Sequence, residues 1–235
     1  MKKGILSSLA LTVALAAFGA ACNQTSNIST NSSMNQNMMN GNSMNHNTMN
    51  HNAMNHNAMM NSNMSGMNHG DMKSSPNAAA QPYDLQFLDT MVHHHQGAVD
   101  MAKMVDGKTD NAELKKFAAA IIADQNKEIA QMKEWREKWF AGKPAAMNME
   151  MSGMMDSMKM MMGDEMKKLE AATGKNFDLL FVEMMIPHHD GAVVMSKEAL
   201  TKAEHPEIKT LANQIIKAQE AEIKMMNDWK AKWAK

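Results

Sequence analysis

The sequence predicts an all-α protein. It is read as a ferritin-like four-helix bundle made of two duplicated helical hairpins, preceded by a disordered Met/His/Asn-rich tail. Three observations carry this. Residues 83–139 align without a gap to residues 177–233, with 24 of 57 positions identical. Within each copy, apolar residues recur at spacings of three and four, the period of an amphipathic helix. Each copy is also interrupted once near its middle, at Asp106-Gly107 and at Pro206, which divides it into two helices. Two hairpins related by a pseudo-twofold axis are the simplest way to bury four such faces.

Residues 1–21 read as a secretory signal. Lys2 and Lys3 lead an apolar stretch, Ile5 to Phe18, that is short for a bilayer span. Cys22, the only cysteine, follows Gly19-Ala20-Ala21 and is the candidate for lipidation at a lipoprotein-type cleavage site. Gly19 stands where Leu is usual, so plain cleavage nearby with a free thiol is the alternative. Either way the chain is expected in the periplasm or envelope, and one cysteine forms no internal disulfide framework. Residues 22–82 are dominated by Asn, Met, Ser, His and Ala, with a Met-Asn-His-Asn unit beginning at Met44, Met49 and Met54. Few branched or aromatic side chains are present to offset chain entropy, so disorder is expected.

The ~150 residues that follow suffice for one core. From Tyr83, the residues Leu85, Leu88, Met91, Val92, His95 and Val99 mark the first helix, ended by Asp106-Gly107. Asp110, with Glu113 three residues on, marks the next start. That helix carries Leu114, Phe117, Ile121, Ile129, Met132, Trp135 and Trp139 before Gly142 and Pro144 stop it. In the joining segment 140–176, Met154, Met155, Met158, Met161 and Met162 fall on one face, followed by Met166 and Leu169. One short amphipathic helix is expected there. The second copy repeats the plan, with Pro187 in place of His93; a kink is expected just before His188. Pro206 suits a first helical position.

The chemistry lies on the first helix of each copy. Met91, His94, His95 and Met101 lie close together there, as do Met185, His188, His189 and Met195. Imidazole and thioether are neutral donors that suit copper, so these eight are the candidate metal ligands. Adjacent histidines differ by about 100° in direction, so one of each pair can turn inward and its neighbour toward the rim. Gly97 and Gly191 permit close approach of another element. The second helices repeat Gln125, Glu128 and Met132 as Gln219, Glu222 and Met226. This stripe can offer a carboxylate as ligand or as acceptor for an imidazole N–H. His93, Met104, Glu128, Met132, Glu222 and Met226 are further candidates, although a single Met such as Met132 is more simply core. The Trp135/Trp139 and Trp229/Trp233 pairs are expected to pack the bundle ends. In the tail, His46, His51, His56, His69 and eleven methionines have no core to fill. They suit capture of Cu(I), with silver possible by similar softness; a spacer whose methionines absorb oxidation is the alternative.

The formal net charge of −1 and the lack of a basic run argue against nucleic acid. Membrane contact is expected only through a lipid anchor. No activated serine is present, and no Cys-x-x-Cys-His motif for c-type haem, so no enzyme is expected.

The stretch Met185-Ile186-Pro187-His188-His189-Asp190-Gly191-Ala192-Val193-Val194-Met195 resembles the bacterial family of the domain of unknown function 305 (DUF305). Its members include CopM-like periplasmic copper-binding proteins. The resemblance covers residues 83–235, with Gln219, Glu222 and Trp229. It implies a ferritin-like bundle, copper binding and copper tolerance, with Met185, His188, His189, Met195 and their counterparts Met91, His94, His95 and Met101 as ligands. The first copy departs from it, with Val92-His93 where the second has Ile186-Pro187. The expected function is sequestration of copper, or its transfer to an efflux or chaperone protein. One alternative is a ferritin-like di-metal redox protein, whose Glu-x-x-His signature is absent here. Another is a non-metal helical partner-binding protein that docks through flexible Met faces.

Overall fold

The computed structural model describes residues 73–159 and 161–233. The leader, Cys22, and tail histidines His46, His51, His56 and His69 lie outside them. Six α-helices follow in order: α1 Tyr83–Met104, α2 Ala112–Phe140, α3 Met154–Lys159, α4 Asp164–Ala171, α5 Gly174–Lys202 and α6 Pro206–Trp233. No strand occurs among the described residues. The four long helices pair as hairpins α1/α2 and α5/α6, and α1 packs on α5. This is the expected four-helix bundle.

The periodic apolar residues fill its interior. Leu85, Leu88, Leu114 and Ile121 of the first hairpin are fully buried, as are Phe177, Phe181, Ile208 and Ile215 of the second. Each such side chain contributes up to about 1.5–3 kcal/mol by leaving water. Aromatic residues close both ends of the α2/α6 seam. Trp139 stacks on His205 with ring centroids 3.9 Å apart. Phe117 meets Trp229 edge-on at 5.1 Å.

The two hairpins are clasped by a reciprocal pair of caps. Buried Asp84 of α1 accepts from the backbone N–H groups of Glu204, at 3.0 Å, and His205, at 2.9 Å, just before α6. At the related place, Asn111 Nδ2 donates to Asp178 of α5 at 2.9 Å. Asn111 is also the cap of α2, accepting from Glu113 and Leu114 at 3.1 and 3.2 Å. The cap is therefore Asn111 and not Asp110. Asn111 has the extended backbone of an N-cap residue, and its side chain reaches the second and third helical N–H groups.

The joining segment differs from expectation. It forms two short helices rather than one, because Gly163 turns the chain with φ +77. Met154, Met158, Met161 and Met166 are buried, but Met155 is 56% exposed, so the run does not share one face. Helix α5 passes through Pro187 without a break in the helix. Residues 73–82, given to the tail by composition, lie on the joining segment. Ser75 N–H donates to Met147 O at 2.8 Å, and Met149 N–H donates to Ser74 Oγ at 2.9 Å. No described helix is long and apolar enough to cross a membrane.

Candidate metal centre

The pseudo-twofold axis brings the two His pairs together at the middle of the α1/α5 contact. His94 and His188 point inward and stack on each other, with ring centroids 3.8 Å apart and planes inclined by 34°. Their neighbours turn away. His95 Nε2 lies 2.7 Å from Glu128 Oε2, and His189 Nε2 lies 2.7 Å from Glu222 Oε2. All four imidazoles are essentially inaccessible. The carboxylate stripe on α2 and α6 thus serves as acceptor for imidazole N–H groups.

The hydrogen bonds fix three of the tautomers. A carboxylate can only accept, so His95 and His189 donate from Nε2. His94 Nε2 is 3.0 Å from Ser157 Oγ, and that hydroxyl donates to Met154 O at 2.8 Å. Ser157 is therefore left to accept, and His94 also donates from Nε2. In the neutral form of each ring Nδ1 is then a bare lone pair, and in all three it is buried without a hydrogen-bond partner. His188 has no hydrogen bond of ordinary geometry at either ring nitrogen, and interacts only with the backbone of His94. A buried imidazole with one nitrogen anchored by a carboxylate or hydroxyl and the other bare is a metal ligand in waiting.

The thioether of Met161 approaches the same stretch of α1 as His188. A methyl group added at Gly97 would sit 2.8 Å from Met161 Cε, 3.1 Å from Met161 Sδ and 3.3 Å from His188 Nε2. Met161 and His188 therefore flank the same bare patch of α1. The other candidate thioethers, Met91, Met101, Met132, Met185, Met195 and Met226, are fully buried members of the apolar core. Met104 and His93 are half-buried on α1. Sequence reasoning missed Ser157 and singled out Met161 only as one of a run. Their role depends on how the joining segment folds back onto α5, which no helical period encodes. That return relies on glycine: Gly153, with φ +83, and Gly191 touch backbone to backbone.

Among the described residues no three His, Cys, Asp or Glu side chains converge as a group able to hold an ion. The donors available in this region are imidazoles and thioethers, ligand types suited to a soft ion.

Burial holds both His94 and His188 well below the ordinary imidazole pKa, and each is lowered further by neighbouring histidines. The sign follows from linkage. Below about pH 6.5 the unfolded rings take up protons while the folded ones stay neutral, so stability falls as pH falls. Each ring contributes a slope of at most about 1.4 kcal/mol per pH unit. Urea midpoints of metal-free protein measured from neutral to mildly acid pH should show this loss. A double H94L/H188L variant should lose that part of the slope.

These features define a class: a four-helix bundle carrying buried, preset imidazole donors at a pseudo-twofold axis. The chain belongs to the family described as domain of unknown function (DUF305), whose model matches residues 10–136 and 84–230. It is similar to CopM in the Cu(II)-bound form, at 42% identity over 64% of this chain and 97% of that one, with a TM-score of 0.54. Similarity to CopM in the Cu(I)-bound form is 38% over 64% and 96%, with a TM-score of 0.53. A DUF305 fragment from Deinococcus radiodurans is 26% identical over 65% of this chain and 97% of that one, with a TM-score of 0.54. An uncharacterized protein of Acanthamoeba polyphaga mimivirus is 44% identical over 50 residues, 21% of this chain and 33% of that protein. The match spans about one third of that relative's length.

Proposed function

We propose that this protein binds copper through its paired histidines and acts as a non-enzymatic sequestering or carrier protein. The observation that carries the reading is the set of buried, unpartnered Nδ1 atoms on His94, His95 and His189, grouped around the buried ring of His188. Burying a polar atom without a partner costs free energy, and a bound ion is what would offset that cost. One relative, CopM, solved in Cu(I)-, Cu(II)- and silver-bound forms, supports the choice of metal.

In this reading His94, His95, His188 and His189 supply nitrogen, and Met161 adds sulfur beside His188. Glu128, Glu222 and Ser157 hold ring nitrogens so that the opposite ones face the ion. The tail methionines and His46, His51, His56 and His69 gather ions more weakly. The leader places the protein outside the cytoplasm, free or anchored through Cys22. Its output is metal tolerance, by storage or by delivery to an efflux or chaperone protein.

The test is anaerobic Cu(I) and aerobic Cu(II) titration of the mature chain and of a version beginning at Lys73. A tight class of sites should remain in the shortened protein, while the weak class is lost with the tail. Substituting alanine at 94, 95, 188 and 189 together should abolish the tight class. Uptake unchanged by those four substitutions ends the proposal.

A further inference from the structure

A cleft of about 320 Å³ opens between α2 and α6, midway between the aromatic contacts that close the two ends of that seam. Its floor is apolar, with Ile121 and Ile215 fully buried. Beside them lie Gln125 and Gln219, only 4% and 3% exposed. Both Gln Oε1 atoms are enclosed without a hydrogen-bond partner. Gln125 and Gln219 both line the cleft. Above the floor stand Glu128 and Glu222, about one-fifth exposed. Each uses one oxygen for its histidine and keeps the other. Asp124 and Lys127 lie on the lip. Three carboxylates against one ammonium give the lining a formal charge of −2.

We infer that this cleft binds a small aliphatic diamine in its doubly protonated form. Four features select that class. The net charge asks for a dication. The unpaired acceptors ask for a ligand rich in N–H donors. The donors do not converge as a group that could hold a bare ion. Finally, the pseudo-twofold axis relates Gln125 and Glu128 to Gln219 and Glu222. The site thus offers the same acceptor pair twice, and a ligand with the same donor at each end satisfies both. The volume lies at the lower end of small-molecule pockets.

The experiment is calorimetric titration of the full mature chain, stripped of metal, with 1,4-diaminobutane. One saturable site per chain is expected. The double variant E128Q/E222Q keeps an acceptor for each histidine but removes two charges. It should weaken binding at least about tenfold, the worth of one charge-assisted hydrogen bond. Butylamine, with a single ammonium, should weaken similarly. If E128Q/E222Q does not fold, Q125M/Q219M removes the amide oxygens at similar volume and should show the same loss. The inference is overturned by absence of saturable diamine binding, by equal binding of butylamine, or by variants that bind like the parent. Displacement of the diamine by millimolar Mg²⁺ at constant ionic strength would instead assign the cleft to a hydrated ion and overturn it too.

Discussion

Replacing His188 by leucine is expected to make the metal-free protein more stable while lowering the copper it holds in the bundle. His188 sits at the molecular centre, 1% exposed, with neither ring nitrogen in a hydrogen bond of ordinary geometry. Such burial costs about 1–3 kcal/mol, a cost that leucine of similar size does not carry. For a chain of this size each kcal/mol moves the melting temperature by about 2–4 °C. Calorimetry of stripped protein should therefore show a melting temperature several degrees higher. Anaerobic competition with a chromogenic Cu(I) chelator should show loss of the tight bundle site that includes His188 and Met161. A less stable variant with undiminished copper would mean that the stacked imidazole is a packing element and nothing more.

The second large effect is expected at Gly191. A methyl group there would lie 2.3 Å from Ser157 Cβ and 2.5 Å from the carbonyl oxygen of Gly153. Neither atom is the end of a flexible chain, so Gly191→Ala must push α3 off α5. Overpacking of this kind costs about 1–3 kcal/mol, occasionally more, against a gain of about 1 kcal/mol in helix propensity. The displaced helix also carries Ser157, so His94 loses the hydroxyl that holds its Nε2. The counterpart Gly97→Ala is the control. Its methyl group meets the mobile end of Met161 at 2.8 Å, which can swing aside, so stability should barely change. Hydrogen exchange should show residues 153–159 unprotected in G191A and protected in G97A. Equal behaviour of the two variants would mean that α3 is not seated on Gly191.

Much of this was legible in the chain. The repeat gave the pseudo-twofold axis, and the three-four spacing gave four long helices with ends close to those observed. A 100° step between adjacent residues implied that His94 and His95 diverge, and the Glu128/Glu222 stripe gave an acceptor for the outward ring. Period alone does not say which histidine turns inward. That choice is set by α1 packing on α5. The cap was expected one residue early because Asp110 with Glu113 fits the capping-box spacing, whereas the true cap, Asn111, has Leu114 at that position. The joining segment was least legible. Its methionines have a helical spacing, but Gly153 and Gly163 take backbone conformations that break it, and the contacts of Ser157 and Met161 arise only from that fold-back. Thioethers flanking the histidines in sequence, such as Met91 and Met101, are as deeply buried as the histidines themselves. The one beside His188 comes from a residue 27 positions away.

The clasp between the hairpins has a consequence for how the molecule comes apart. Asp84 holds the turn of the opposite repeat, and Asp178 holds Asn111 in exchange. Neither half can fray at its bend without the other half releasing a buried carboxylate into an apolar setting. The repeats therefore behave as mutual keystones. The protein should melt in a single cooperative step.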